Sequence, residues 1–574
     1  MSKALNWKVA GSAGEGIMTT GLLFSKTCAR HGLSIFDYME YPSLIRGGHN
    51  TYQVHASTDP VTSQKKSLDV LVALNQNALN FHVDELTDKS LILYDKEDDN
   101  IDINKFNLSG KTFDLPMVRL AKESGGSRVM ANNVALGASI FFLKLDLKIL
   151  DQVIADIFAS KGDKIIDANH KAALAGYNFA KQKSKSHLTI SKGLLKNQLT
   201  LTGNEAISLG AIAGGLQFYV AYPMTPSSSI LHYLAAVSSK SGFVVKHAED
   251  EVGAVNMALG ASFAGTRTMI GTSGGGFAYM TEALGLAGVA ELPLVIVEVM
   301  RPGPALGMPT WTAQGDLQFV LTASQDEFPR FVLAPGDGQE AFDLTFKALE
   351  LAEKYQTLVI LISDKYLSES RHTIELKKYT FKNKRFGFTN SPKADATNFF
   401  PRYLPTNTGI SQRSIPGQKG GIHIANSYEH DQYGVGIEEA EVRVEQMDKR
   451  NKKFESMKSE IPNQLYTTQN NSKLTFISFG STKGPIASAR KQLTQQGIST
   501  NMLHLSWLWP FPTKQVESIL TSSPKTLIIE GNSYGQLANL ITQETGIKLN
   551  NHLRRYDGRP FYSEDITDHV NKIL

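Results

Sequence analysis

At 574 residues the chain is too long for one hydrophobic core, and a prior of roughly one domain per 150 residues suggests three or four. Its 41% apolar and 20% charged residues are ordinary for a globular protein, and the net charge of +4 comes without a Lys/Arg run dense enough to argue for nucleic acid. No apolar run approaches the roughly 20 residues that span a bilayer, and Met1 leads straight to a strand-like run at 7–10 without a signal-peptide core, so no membrane association and a cytoplasmic location are expected.

Cys28 is the single cysteine. That excludes an intrachain disulfide and any iron–sulfur cluster held by thiolates of this chain alone. With Leu22, Phe24 and Leu33 nearby in a helix-like run, Cys28 is read as a buried structural thiol.

The first block, 1–182, alternates strand-like runs at 70–74 and 91–94 with helix-like ones. Its opening loop, Gly11-Ser12-Ala13-Gly14-Glu15-Gly16, follows a strand and precedes a helix, a setting in which backbone N–H groups can cradle an anion. The spacing is G-x-x-G-x-G and not the dinucleotide G-x-G-x-x-G. Glu15 would also bring negative charge to a pyrophosphate, which argues against nicotinamide binding. A basic, serine-rich stretch at 183–196 (KSKSHLTISKGLLK) marks the first boundary.

The second block, 198–370, holds apolar runs at 217–222 (QFYVAY), ended by Pro223, at 268–272 and at 294–299 (LVIVEV), with further runs at 331–333 and 357–362. Uninterrupted runs of this length predict strands buried on both faces of a parallel sheet, and the helix-length segments between them predict βαβ connections. Ligands of such sheets gather beyond the carboxyl ends of the strands. Three polar features fall there: Thr225 in YPMTPSS, the loop Ser273-Gly274-Gly275-Gly276, and Arg301 followed by Pro302-Gly303-Pro304. Glu249-Asp250-Glu251 opens a helix whose Ala254, Ala258 and Ala261 share a face that permits close approach. Taken alone, the three acids cap a helix and favour its dipole, Arg301 makes a surface ion pair, and the glycines form a permissive turn.

From 371 to 470 the composition shifts toward Lys, Asn, Pro, Gln and Gly, and so long a segment is expected to be either functional or disordered. Within it, 437–458 is charge-dense and periodic and predicts a solvated helix without a site of its own. His430 in Tyr428-Glu429-His430-Asp431 is read as a surface histidine. Residues 471–574 alternate again, with strands expected at 474–479, 500–505 and 526–530 and a turn at Gly480-Ser481.

Four stretches in this order resemble the thiamine-diphosphate-dependent 2-oxoacid:ferredoxin oxidoreductases: 222–228 (YPMTPSS), 249–261 (EDEVGAVNMALGA), 271–276 (GTSGGG) and 301–317 (RPGPALGMPTWTAQGDL). The arrangement resembles the alpha subunit with its gamma domain fused in front; Met224 stands where that family usually has isoleucine. The last block resembles the family's transketolase C-terminal-like domain through Pro510-Phe511-Pro512 and Glu530-Gly531-Asn532. The resemblance implies an α/β protein of several domains with mainly parallel sheets. These are a gamma-like domain at 1–182, a pyrimidine-binding domain at 198–370, a connecting segment at 371–470 and a transketolase C-terminal-like domain at 471–574.

The resemblance also implies a reaction: oxidative decarboxylation of a 2-oxoacid, transfer of the acyl group to coenzyme A, and passage of electrons to ferredoxin. The fused arrangement is most similar to enzymes of 2-oxoglutarate, with pyruvate or a branched-chain 2-oxoacid as alternatives. No Gly-Asp-Gly…Asn-Asn signal for the diphosphate and its metal is found here. This chain is therefore expected to hold only the pyrimidine half of a shared thiamine diphosphate site and no metal, with Mg2+ and the iron–sulfur cluster on a beta subunit, in a heterodimer or heterotetramer. By the same resemblance, Glu251 is the catalytic carboxylate, matched by the nine residues that separate it from Gly260, with Glu249 as the next candidate. Thr225 and Arg301 are expected to bind the substrate. Tyr222, Pro223, Ser273 and Gly274 are expected, with Glu251, to bind the cofactor. Gly11, Gly14 and Gly16, and the later segment containing Arg46, Gly47 and Gly48, are expected either to help form the coenzyme A site or to pack against the other portions. The competing readings are a nicotinamide dehydrogenase, favoured only by the N-terminal glycines, and a non-catalytic scaffold of an electron-transfer complex.

Overall fold

The structure, a computed structural model, describes residues 3–44, 47–97, 101–106, 108, 110–185, 188–196, 198–375 and 384–574. Three sheets carry the chain. The first has eight strands in the order Lys111–Asp114 (β6), Leu86–Tyr94 (β5), Leu68–Ala73 (β4), Ala4–Ala13 (β1), Gly47–Ser57 (β3), Ser34–Glu40 (β2), Arg371–Glu375 (β14) and Gln198–Thr202 (β7). Strands β1, β4, β5 and β6 run parallel, whereas β3, β2, β14 and β7 extend the sheet by antiparallel pairing. Both ends of the 198–375 stretch thus complete the edge of the first sheet, which ties the first two blocks together through backbone hydrogen bonds.

The second sheet has seven strands in the order Trp507–Trp509 (β18), Arg330–Leu333 (β12), Leu358–Asp364 (β13), Leu294–Met300 (β11), Thr268–Thr272 (β10), Phe218–Ala221 (β8) and Val244–His247 (β9). All are parallel except β18, which comes from the C-terminal block and anchors itself through fully buried Trp507, edge-on to Phe331 at 5.6 Å. The third sheet runs Leu465–Thr467 (β15), Thr500–Leu505 (β17), Leu474–Phe479 (β16), Thr526–Glu530 (β19) and His552–Arg554 (β20), parallel except at β15.

The apolar runs work as central strands because both faces are covered. In β11, Val295, Val297 and Val299 pack with the core that includes Ile207, Ala211, Ala341 and Ala348. Leu294, Ile296 and Met300 pack on the other face with Ala254, Ala258, Phe277 and Met280. Each fully buried side chain of this kind contributes about 1.5–3 kcal/mol. Glu298 interrupts the second face, and it is as buried as its neighbours.

Two expectations for the 371–470 segment are corrected. The charge-dense stretch forms the helix Ala440–Met457, yet Lys449 and Lys453 are buried and both bind the Glu291 carboxylate, so this helix docks by its charges instead of standing in solvent. His430 is fully buried: its Nε2 meets the Val289 carbonyl at 3.0 Å and its ring lies 4.0 Å from that of Tyr403. Residues 384–439 are irregular, and their side chains close the carboxyl ends of two helices. Arg413 donates to the Ser262 carbonyl at 2.7 Å, near the end of helix Glu251–Phe263. Arg402 donates to the Glu291 carbonyl at 3.0 Å, just past helix Gly274–Val289. Cations at these ends satisfy carbonyls that have no helical partner and oppose the helix dipole. Cys28 is buried, and burial pushes its thiol up. Among the described residues no helix is long and apolar enough to cross a membrane.

Candidate active site

The carboxyl ends of β8, β10, β11 and β13 lie side by side, with Thr272 paired to Glu298 and Met300 to Asp364. Tyr222, Ser273, Arg301 and Lys365 follow directly in the chain. This is where the order of a parallel sheet leaves room for a ligand.

Asp250, in extended backbone, caps helix Glu251–Phe263 by accepting a hydrogen bond from Gly253 N at 2.6 Å. Capping by Asp250 sorts the three consecutive acids. Glu249 and Asp250 are exposed, whereas Glu251 is 6% exposed. Its Oε1 is buried and accepts no hydrogen bond. Burying such an acceptor without a partner costs on the order of 1–3 kcal/mol, and Oε1 is left able to take a donor.

Helix Gly274–Val289 approaches this carboxylate because its first turn has no side chains. A Cβ on Gly276 would lie 2.7 Å from Glu251 Oε1 and 2.3 Å from Thr272 Oγ1, and one on Gly274 would lie 2.6 Å from Asp316 Oδ2. Ser273 precedes that helix as its cap residue; its Oγ is buried and unbonded. Arg301 is 7% exposed and donates from Nη1 to the Thr225 carbonyl at 2.6 Å. The structure thus joins Arg301 and Thr225 through the backbone of Thr225. Burial lowers the pKa of the Arg301 guanidinium, against the opposing pull of Asp316 and Glu298. Tyr222 is exposed with its ring 6.3 Å from that of His247, and Pro223 is half-buried.

Three polar groups here went unnoticed in the sequence. Thr310, in the loop between Arg301 and Asp316, has a buried hydroxyl without a partner. Glu298 and Asp316 face each other beside Arg301. The available signals were an acid inside the apolar run LVIVEV and the position of Thr310 and Asp316 within the matched 301–317 stretch.

The N-terminal loop belongs to the first sheet. Gly14 and Gly16 have φ of +96° and +75°, a region glycine enters without strain. Glu15 Oε2 accepts from Ser12 N at 2.5 Å and from Asn75 Nδ2 at 3.4 Å, and a Cβ on Gly11 would lie 2.4 Å from that oxygen. A phosphate brought to this loop would meet a carboxylate already bonded to Ser12 N. Gly47 and Gly48, with φ of +76° and +72°, open β3 and are exposed; Arg46 lies outside the described residues. Among the described residues no group of three or more His, Cys, Asp or Glu is placed to hold a metal ion.

Residues 209–449 match the family described as pyruvate flavodoxin/ferredoxin oxidoreductase, thiamine diP-bdg. Residues 6–179 match pyruvate ferredoxin/flavodoxin oxidoreductase, and 472–566 match pyruvate:ferredoxin oxidoreductase core domain II. The 2-oxoacid:ferredoxin oxidoreductase subunit alpha of Saccharolobus solfataricus is 30% identical over 99% of this chain and 98% of its own. The 2-oxoglutarate oxidoreductase subunit KorA of Mycobacterium tuberculosis is 28% identical over 93% of this chain and 86% of its own. Among solved structures, 2-oxoglutarate:ferredoxin oxidoreductase from Magnetococcus marinus, with 2-oxoglutarate, coenzyme A and succinyl-CoA bound, matches at a TM-score of 0.91 and 32% identity over 100% of both chains. With this similarity running the length of the molecule, the chain belongs to the 2-oxoacid:ferredoxin oxidoreductase family, as an alpha subunit.

Proposed function

We propose that this subunit supplies the aminopyrimidine half of a thiamine diphosphate site and, with a beta subunit, oxidatively decarboxylates 2-oxoglutarate to its acyl-CoA. The observation that carries the reading is the buried, unbonded Oε1 of Glu251 at the mouth of a parallel sheet. A carboxylate in that state fits the ring nitrogen of an aminopyrimidine, which becomes a donor when protonated. Gly276, lacking a Cβ, lets helix Gly274–Val289 lie directly against that carboxylate.

When bound, thiamine diphosphate supplies the carbon nucleophile for the 2-oxo group and the sink for the electron pair left by decarboxylation. The residues of this chain do the positioning. Glu251 would accept a hydrogen bond from the protonated ring nitrogen and so favour the proton's staying there. Arg301 presents a planar fork to the substrate carboxylate, steadied by the Thr225 carbonyl. The N-terminus of helix Gly274–Val289, with the Ser273 hydroxyl, offers donors to negative charge.

A beta subunit follows from chemistry and from surface. Cys28 is the lone cysteine and is buried, so a cluster that would take the two electrons has to be held by another polypeptide, with ferredoxin as the proposed acceptor and Mg2+ assigned with the diphosphate to that partner. Tyr222, Val252, Met257, Tyr279 and Leu306 are exposed on the elements that build the site, an apolar rim suited to a protein partner. The 2-oxoglutarate bound to the Magnetococcus marinus enzyme and the naming of KorA support the substrate. For coenzyme A, the Glu15 carboxylate at the N-terminal loop favours packing over ligand binding there.

The reading is tested by co-purifying the complex and following viologen reduction with coenzyme A and a panel of 2-oxoacids. The highest kcat/KM is expected with 2-oxoglutarate, and a preference for pyruvate would overturn that substrate. Arg301→Lys keeps the charge but loses the fork, so KM for the 2-oxoacid should rise about tenfold or more with cofactor binding intact. An unchanged KM would make Arg301 structural.

A further inference from the structure

Glu298 sits near the end of the fully buried β11, on the face toward helices Glu251–Phe263 and Gly274–Val289. Its side chain is 0% exposed, and neither carboxyl oxygen accepts a hydrogen bond from an N–H or hydroxyl donor. What it meets is the carboxyl of Asp316, at the far end of the loop that starts with Arg301. Asp316 in turn lies against Gly274, whose missing Cβ leaves 2.6 Å to Asp316 Oδ2.

Two carboxyl groups can form a hydrogen bond only if one of them keeps its proton, because two buried anions in contact repel. The charged and titratable groups around the pair come from each packed element. Arg301 stands at the end of β11, Asp364 at the end of β13, and Glu251 in the first turn of the helix beside Thr272 and Gly276. Arg301 is the cation of that set, and three acids besides Glu298 crowd the same corner. Burial pushes Glu298 well above the ordinary carboxylate range, with Asp316 and Asp364 adding to the effect and Arg301 opposing it. Asp316 is pushed up to about 6, again by burial, with Glu298 and Arg301 pulling it down.

We infer that Glu298 is a neutral acid that donates a hydrogen bond to Asp316, and that the pair presents one negative charge to Arg301, fixing the guanidinium for the substrate carboxylate. Glu298 and Asp316 are positioning residues, and the inference rests on the reading of Arg301 as the carboxylate ligand. A second charge on the pair would weaken the hold of Arg301 on an anionic substrate. Loss of the single charge would remove that attraction, while the hydrogen bond of the guanidinium to the Thr225 carbonyl would remain.

The test uses the complex with its beta subunit. Infrared spectra of the wild type in H2O and D2O should contain the carbonyl stretch of a buried protonated carboxylic acid, and Glu298→Gln should remove it. Absence of that difference overturns the neutral acid. In the pH profile of kcat/KM for 2-oxoglutarate, Glu298→Leu removes the donor that stabilises ionised Asp316, so the acid limb should move up by about one pH unit. Glu298→Gln still donates from its amide and should keep the limb where the wild type has it. An unmoved limb in Glu298→Leu overturns the positioning role, and should that variant fail to fold, a limb that moves in Glu298→Gln does so as well. An unchanged KM in Arg301→Lys, with the infrared band still present, would instead remove the reading of Arg301, so the two failures are told apart.

Discussion

Replacing Glu251 with Gln should lower the turnover of the complex about a hundredfold or more, the scale usual for a general acid–base group. The substitution keeps the size of the side chain and one carbonyl oxygen, so helix Glu251–Phe263, capped independently by Asp250, should form as before. What is lost is the negative charge in a site where Oε1 is buried and bonded to nothing. An amide there cannot hold a proton on a facing ring nitrogen. The measurement is kcat with saturating substrate, together with the amount of thiamine diphosphate bound per complex, and Glu249→Gln on the exposed neighbour serves as control. Turnover within a few-fold of wild type would reduce Glu251 to a favourable charge at a helix N-terminus.

The largest expected loss of stability lies on the other side of the sheet ends. Glu291 follows helix Gly274–Val289 and binds Lys449 and Lys453, all three buried. Burial disfavours the charge on Glu291, but the two ammonium groups and Arg402 outweigh it and hold the carboxyl below its usual range. Glu291→Gln would leave two buried cations facing a neutral amide, and removing one partner of a buried ion set costs about 3–5 kcal/mol. The chain has several sheets and need not unfold in one step, so the readout is the thermal midpoint against exposed Glu445→Gln as control. Because the folded carboxyl is held low, the stability it contributes is fully present above the ordinary carboxylate range and is lost only as strong acid protonates it. A midpoint equal to that of the control would show that the set adds no net stability.

The strands of the second sheet could be read locally because their signal is local. Residues 268–272 form β10 with the same bounds, and the run at 294–299 falls within β11, since a strand buried on both faces must be apolar without interruption. Of the site, the run Glu249-Asp250-Glu251 was visible as a helix start, and the cap geometry of Asp250 explains why one acid of the three turns inward. The helix at 440–457 was visible only as a charged periodic stretch. Its docking depends on Lys449 and Lys453, one turn apart, both reaching a glutamate about 160 residues earlier in the chain, and no local pattern encodes that. His430 and the strands β7 and β14 were misjudged or missed for the same reason: their partners, Val289, β2 and each other, are distant in sequence. Glu298, an acid inside an apolar strand, went unnoticed, and its meaning needed Asp316, which only the fold brings to it.

The claim on which the rest depends is that this chain activates the cofactor through Glu251. It is tested most directly by deuterium exchange at the thiazolium carbon of thiamine diphosphate bound in the reconstituted complex, without substrate. Exchange should be slowed about a hundredfold or more in Glu251→Gln relative to wild type, with the cofactor still bound. Exchange at the wild-type rate in that variant would contradict the assignment and move attention to Glu249.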